Sequence, residues 1–303
     1  MMNKDLIYHF GKRLLPHPRY WPKKLHEIRL DRYYYQVFNK HIDFKNPISF
    51  NEKMQWYMLY YNDPIVSRVT NKVTLKDYVY EKLGEGFTAK LLGTWESVDA
   101  IDFDSLTPPY VLKSNCSGNG ENIIVIKDDK FDRCDLRERL SSWLQWQNTF
   151  ANGSSNAYWD IKPMIMAEEY LADIESSIVD YKCYCFNGKM VCLYTSYDGF
   201  VNGISRPEES RFAFYDKNFK MLNVHYDGRP IVPVEKPKHF SEMIQIAEEL
   251  SAGFPFVRVD FYDLPNRLLV GEMTYDSSWG NKRFTPDEFD YELGRKFILP
   301  INH

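Results

Sequence analysis

Apolar and polar residues alternate most cleanly late in the chain. Val257, Val259 and Phe261 interleave with Arg258, Asp260 and Tyr262, the period of two that predicts a strand with an apolar face in and a charged face out. Asp263, Pro265, Asn266 and Arg267 supply a turn, and the chain returns through Leu268, Leu269, Val270, Gly271 and Glu272. Residues 256–280 therefore read as a β-hairpin. A second strand–loop–strand unit is predicted from 110–113 and 123–126, around a loop rich in Gly, Ser and Asn. Further strands are expected at 163–167, running into Glu168 and Glu169, and at 178–186 and 190–194, joined at Asn187 and Gly188. Helical spacing falls elsewhere. Ser49 and Glu52 form a capping-box pattern that opens a helix through Tyr61, with Asp63 and Pro64 expected to end it. A helix over 72–83 stops at Gly84 and Gly86. One over 136–150 carries Trp143 and Trp146, and one over 241–252 is closed by Gly253. Residues 1–66 are expected to be mostly helical after Pro16, Pro18 and Pro22, and 151–157 to be a mobile polar loop, a lid or linker tip. Mixed elements, with hairpins dominating the second half, predict an α+β fold with antiparallel sheets.

The 303 residues suit two domains or lobes. The boundaries expected are a helical, basic N-terminal segment over 1–66, a first lobe over 67–170 and a second over 171–303. Hydrophobic and charged fractions of 44% and 26% describe a soluble globular chain. A net charge of −4 argues against nucleic acid as a partner. The charge is uneven: residues 1–45 hold ten Lys and Arg against four acids, a net of +6 that leaves −10 for the rest. That segment suits a peripheral membrane surface or an anionic glycan, as well as a plain solvated helix face. No apolar run approaches the roughly 18 residues of a membrane span, and no leader pattern is visible. Five cysteines, an odd number without a framework, fit a reducing compartment. The expectation is a cytoplasmic protein, at most peripheral at the inner face of a membrane.

Candidate chemistry centres on the hairpin. In a register centred on its turn, Asp260 and Glu272 share a face, opposite or one pair off, and two carboxylates roughly 5 Å apart across a ladder repel one another. Two such carboxylates are tolerated when a hard divalent cation lies between them, magnesium or manganese. Arg258 points the same way and is placed to steady a transferring phosphoryl group. Lys113 stands at the root of the loop that contains Ser117, Gly118 and Gly120. Small residues at a hairpin tip let backbone N–H groups close over phosphates. The loop is neither a Walker loop nor a dinucleotide fingerprint, because it leads into a strand. Cys183 and Cys185 lack a second pair for zinc. No histidine occurs between residues 42 and 224, where these motifs cluster, which makes a histidine-based mechanism less attractive. A competing reading uses Asp102 and Asp104 as a D-x-D that holds manganese against a sugar nucleotide, as in a glycosyltransferase.

Several strings, in order along residues 47–300, resemble the TupA-like ATP-grasp family, found in surface-polysaccharide gene clusters. They are SFNEKMQW (49–56), the NK of Lys72, VLKSNCSGNGENI (111–123), AEEYL (167–171), DYKCYCFNGK (180–189), VRVDFYD (257–263) and GEMTYDSSWG (271–280). The resemblance implies an ATP-grasp fold of two α+β lobes gripping ATP. It implies that Lys72 and Lys113 bracket the α- and β-phosphates while Ser117, Gly118 and Gly120 form the phosphate flap. Glu168, Glu169 and Leu171 would be the adenine hinge and Glu175 would reach the ribose. Lys182 would point into the cleft with Arg258, and Asp260 and Glu272 would hold magnesium. Thr274 stands where many such enzymes place a metal-binding Asn, and a hydroxyl is the weaker ligand. The activity implied is a carboxylate–amine ligase that works through an acyl phosphate. Its substrates would be a uronic acid of a surface polysaccharide or its precursor and an amino acid or small amine.

Overall fold

The computed structural model describes residues 17–117, 122–145, 153–171, 179–197, 200–201, 204–205 and 211–300. Among the described residues four α-helices come before the sheets: α1 (Lys23–Phe38), α2 (Phe50–Tyr60), α3 (Pro64–Thr70) and α4 (Lys72–Leu83). The capping box predicted for α2 is present in full. Ser49 accepts from Glu52 N, and the Glu52 side chain accepts from Ser49 N. Asp63 and Pro64 do not merely end that helix, as expected; they start α3. Asp63 Oδ1 accepts from Ile65 N at 3.0 Å with proline in the first turn, a position proline favours because its missing N–H would be unpaired there anyway. Asn71 caps α4 and Gly84 closes it.

Two antiparallel sheets follow. The smaller has the order β1-β4-β2-β3, from β1 (Leu91–Trp95), β2 (Tyr110–Ser114), β3 (Ile123–Ile126) and β4 (Ile165–Glu169). It is covered by α5 (Arg133–Trp143), and together they bury Leu112, Ile126, Leu136, Leu140, Trp143 and Ile165. The 136–150 prediction thus begins three residues late, with Asp132 capping the helix. Residues 146–150, Trp146 included, lie outside the described residues. The larger sheet has six strands in the order β10-β9-β6-β5-β12-β13. Its members are β5 (Asp180–Phe186), β6 (Lys189–Tyr197), β9 (Arg211–Asp216), β10 (Met221–Leu222), β12 (Phe256–Asp263) and β13 (Leu268–Thr274). Two small ribbons, β7 (Phe200–Val201) with β8 (Ile204–Ser205) and β11 (His225–Tyr226) with β14 (Phe284–Thr285), complete the strands.

One face of the large sheet buries Cys183, Leu193, Val257, Val259 and Phe261 against α4 and α6 (Phe240–Leu250). Another core joins α2 to that sheet and to α7 (Glu288–Lys296) through Phe50, Tyr57, Tyr184, Phe256, Tyr275 and Phe297. The 151–157 stretch is not the exposed loop expected, as far as it is described. Ser154, Ser155 and Ala157 are buried, and Ala157 belongs to that core beside Tyr158. No helix among the described residues is long and apolar enough to cross a membrane.

Candidate functional site

β12 lies between β5 and β13, and the ladder sets the site. Asp260 pairs with Lys182 on one side and with Glu272 on the other; Arg258 pairs with Tyr184 and Thr274. Side chains two apart on a strand share a face, so Lys182, Arg258, Asp260, Glu272 and Thr274 all belong to one surface. The expected register is thus found. A bulge follows at once: Phe261 pairs with Val270, leaving Gly271 unpaired. A Cβ at Gly271 would come within 2.6 Å of the Tyr262 ring, so glycine there lets the ring lie across the bulge.

The charged face is not turned to water, contrary to the alternation pattern. Arg258 is 8% exposed and Asp260 4%. Their burial is tolerable because every charge is answered. Arg258 Nε and Nη2 donate to the two oxygens of Asp260, both at 2.6 Å. Nη2 also donates to Thr274 Oγ1 at 2.8 Å, and Nη1 to the Tyr194 hydroxyl at 3.3 Å and Ser277 Oγ at 3.4 Å. Lys182 Nζ donates to Asp260 Oδ2 at 2.9 Å and sits 3.1 Å from Asp180 Oδ2. Thr274 Oγ1 donates in turn to Glu272 Oε1 at 3.2 Å. Burial pushes the Asp260 carboxyl up, but Arg258 and Lys182 outweigh it and hold the group below its usual range. Burial works against the Lys182 ammonium, yet Asp180 and Asp260 keep it above its ordinary value. Asp276, just past β13, is buried, and that burial outweighs a hydrogen bond with Ser155 and pushes its carboxyl up to about 6.

The small sheet and α4 contribute a second cluster. Asn115 Nδ2 donates to Asn71 Oδ1 at 3.2 Å, and Lys72 N donates to Asn115 O at 3.0 Å. This knits the end of β2 to the start of α4 and brings Lys72 Nζ onto the Ser117 carbonyl. On β4, Glu168 is buried between two ammonium groups, Lys113 Nζ at 2.6 Å and Lys76 Nζ at 2.7 Å. Burial raises the carboxyl, but Lys113 and Lys76 prevail and bring it down to about 2. Glu169 accepts from Lys90 N at 2.8 Å and from Arg267 Nη2 at 3.2 Å, which ties β4 to the hairpin turn of the large sheet. Leu171 follows at the end of β4, partly buried. Gly118, Gly120 and Glu175 lie outside the described residues.

Residues 256–280 thus assemble Arg258, Asp260, Glu272 and Thr274, and β5 adds Lys182 beside them. The 110–126 hairpin and β4 bring Lys113 together with Glu168. Sequence reasoning missed Lys76, Asp180, Tyr194 and Ser277. Two of them carry a signal: Lys76 lies four residues after Lys72 on the same helix face, and Asp180 two before Lys182 on the same strand face. Asp102 and Asp104 do not form an open acid pair. Asp102 Oδ1 caps the Asp104 N–H at 3.1 Å, and Asp104 is taken up by Arg133 on the exposed surface of the small lobe.

Magnesium suits the oxygen donors of the hairpin, with both Asp260 oxygens engaged by Arg258 and Lys182 in this structure. Asp260, Glu272 and Thr274 are hard oxygen ligands, and Glu272 takes one hydrogen bond, from Thr274, among the described residues. The set is two carboxylates and a hydroxyl. No group of three or more His, Cys, Asp or Glu side chains is placed to hold a metal among the described residues.

Two antiparallel sheets, with Lys113 on the β2–β3 pair of the smaller and Arg258, Asp260 and Glu272 on one face of the larger, make up the α+β arrangement of the ATP-grasp fold. More narrowly, residues 52–298 match the family described as TupA-like ATPgrasp, and the chain belongs to it. Among solved structures it is similar to D-alanine–D-alanine ligase from Bacillus anthracis, at 18% identity over 70% of this chain and 59% of that one, with a TM-score of 0.38. It is also similar to the ADP complex of N5-carboxyaminoimidazole ribonucleotide synthetase, at 14% identity over 70% and 46%, with a TM-score of 0.41. A third is L-amino acid ligase from Bacillus licheniformis, at 13% identity over 74% and 48%, with a TM-score of 0.42. The chain spans between 46% and 59% of the length of these three. No curated protein matches it.

Proposed function

We propose that the protein is an ATP-dependent carboxylate–amine ligase. ATP transfers its γ-phosphoryl group to a substrate carboxylate, giving an acyl phosphate and ADP. An amine then attacks the carbonyl, forms the amide and expels phosphate. The observation that carries this reading is the buried ladder in which Arg258 and Lys182 converge on Asp260, with Glu272 directly opposite. Phosphoryl transfer asks the protein chiefly to position groups and spread charge, and this surface supplies two cations, Arg258 and Lys182, and three acids, Asp180, Asp260 and Glu272, without histidine.

In this reading Lys72, Lys113 and Ser117 serve the α- and β-phosphates, with Gly118 and Gly120 in the flap. Glu169 and Leu171 line the adenine side and Glu175 the ribose. Arg258 and Lys182 orient and neutralise the phosphoryl group in transfer. Asp260, Glu272 and Thr274 would hold magnesium, with manganese an alternative of the same hard chemistry. The metal supplies charge neutralisation at the phosphate oxygens when bound. The acceptor proposed is a uronic acid of a surface polysaccharide or its precursor, and the nucleophile an amino acid or small amine. The family context supports that choice of acceptor. A cytoplasmic setting follows from the need for ATP.

The test is ADP release on a panel of uronates and amines with ATP and magnesium. Asp260→Asn, which keeps the volume but removes the charge between Arg258 and Lys182, should lower turnover at least about a hundredfold, as loss of one strong transition-state contact does. Full activity in that variant, with an unchanged melting temperature, would sink the assignment.

A further inference from the structure

The pair Lys76 and Glu168 has a consequence that rests on the ATP-binding reading and goes beyond it. In the β2–β4 ladder Val111 stands opposite Glu168. Lys113, two residues on, is thus the diagonal neighbour of Glu168 on the same face. The carboxylate is almost wholly enclosed, its side chain 9% exposed, and its two oxygens are divided: Oε1 faces Lys76 and Oε2 faces Lys113. Lys76 is itself anchored, since its Nζ also donates to the Ala89 carbonyl at 2.5 Å. It comes from α4, one turn after Lys72, whose ammonium reaches the Ser117 carbonyl at the flap.

Charge balance gives this geometry its meaning. A lone Lys113–Glu168 pair at contact distance is close to neutral and would offer a phosphate little attraction. Two ammonium groups on one carboxylate leave a net positive charge on the side where Lys113 is more exposed, 23% against 13% for Lys76. With both oxygens committed to lysines, the carboxylate is also poorly placed to read adenine. We infer that Lys76 is a positioning residue for nucleotide phosphates: it shares the Glu168 carboxylate so that Lys113 keeps an unneutralised charge for the phosphate chain. Glu168 in turn fixes the Lys113 ammonium rather than recognising the base.

Equilibrium binding of ADP and of adenosine to the full chain separates this role from others, because adenosine lacks the phosphates. Wild type that binds ADP supports the ATP-grasp reading on its own account; wild type that binds neither ligand overturns that reading, and this inference with it. Given ADP binding, Lys76→Met should weaken ADP about tenfold and leave adenosine unchanged within about twofold, a factor of ten being one strong charge contact. Lys76→Met strands one side of a buried carboxylate, a change that works against folding, so Lys76→Met/Glu168→Gln is the second variant. Both partners are then neutral, Lys113 is unopposed, and ADP should bind at least as tightly as in wild type. Glu168→Gln alone should bind ADP no more weakly than wild type and adenosine equally well. Loss of adenosine binding in Glu168→Gln would show that the carboxylate reads the base, and would overturn the inference. So would equal weakening of ADP and adenosine in Lys76→Met, or failure of the double variant to retain ADP.

Discussion

At the scale of single residues, the buried ions set how stability answers to pH. Glu168 is the clearest case, because its carboxyl is brought from 4.5 to about 2 by Lys113 and Lys76 despite burial. A carboxyl with a depressed folded-state pKa stabilises the fold above its unfolded value and loses that contribution as pH falls towards the folded value. The window therefore runs from about 4.5 down to about 2, and the full contribution at neutral pH is about 3 kcal/mol. Denaturant melts of wild type and Glu168→Gln should show their difference in stability shrinking by about 2 kcal/mol between about pH 5 and about pH 3. A constant difference across that range would mean that the two lysines do not hold the carboxylate in solution. Asp260 belongs to the same class by direction, but its partners Arg258 and Lys182 also serve the proposed chemistry, so its substitution is read through turnover.

At the scale of elements, helix α2 is placed by contacts that tolerate no side chain. Gly294, on α7, comes so close to the entry of α2 that an added Cβ would lie 2.4 Å from Ile48 O and 2.9 Å from Phe50 N. Those atoms are backbone, and Asn51 N is pinned to Asp290 Oδ1 at 3.0 Å, so neither helix can give way cheaply. Gly294→Ala should cost more than about 2 kcal/mol, beyond the usual range for a surface change. Ser49→Ala, which removes one half of the capping box, should cost about 1 kcal/mol. Thermal melts of the two variants check the order; a milder effect from Gly294→Ala than from Ser49→Ala would show that the helices are not in close contact. The elements also divide into those legible in the sequence and those not. Capping residues are local, so α2 could be read from Ser49 and Glu52 and the end of α4 from Gly84. Strand alternation, with the position of the turn, placed Asp260 and Glu272 on one face of the β12–β13 pair. It could not give their burial, because whether a charged face meets water depends on what covers it. Here the cover includes Tyr194 from β6 and Ser277 from the turn after β13, both distant in sequence or hidden in a polar string. The 154–157 stretch failed for the same reason: Ser154 and Ser155 look like loop residues, and only tertiary contacts bury them.

At the scale of the whole molecule, the cores predict how the chain melts. The four-stranded sheet and α5 enclose a core of their own, from Val98 to Ala167. The six-stranded sheet shares its two cores with α2, α4, α6 and α7. Among the described residues β4 is tied to the other lobe by the half-exposed Arg267–Glu169 pair, worth about 1 kcal/mol at most, and by the buried Lys76–Glu168 pair from α4. A lobe with its own core unfolds as its own cooperative unit where such ties yield before the core does. Calorimetry of the free protein should therefore resolve two transitions, the smaller belonging to the four-stranded lobe. A nucleotide gripped through Lys72, Lys113 and Lys182 touches both lobes, and at about a hundred times its Kd adds about 2.7 kcal/mol to whatever it holds together. ATP with magnesium should raise the lower transition until the two merge, and Lys113→Ala should keep them apart. A single transition in the free protein would mean that the lobes are already one cooperative unit. A lower transition that ATP leaves in place would mean that the nucleotide, if bound, is held by one lobe alone.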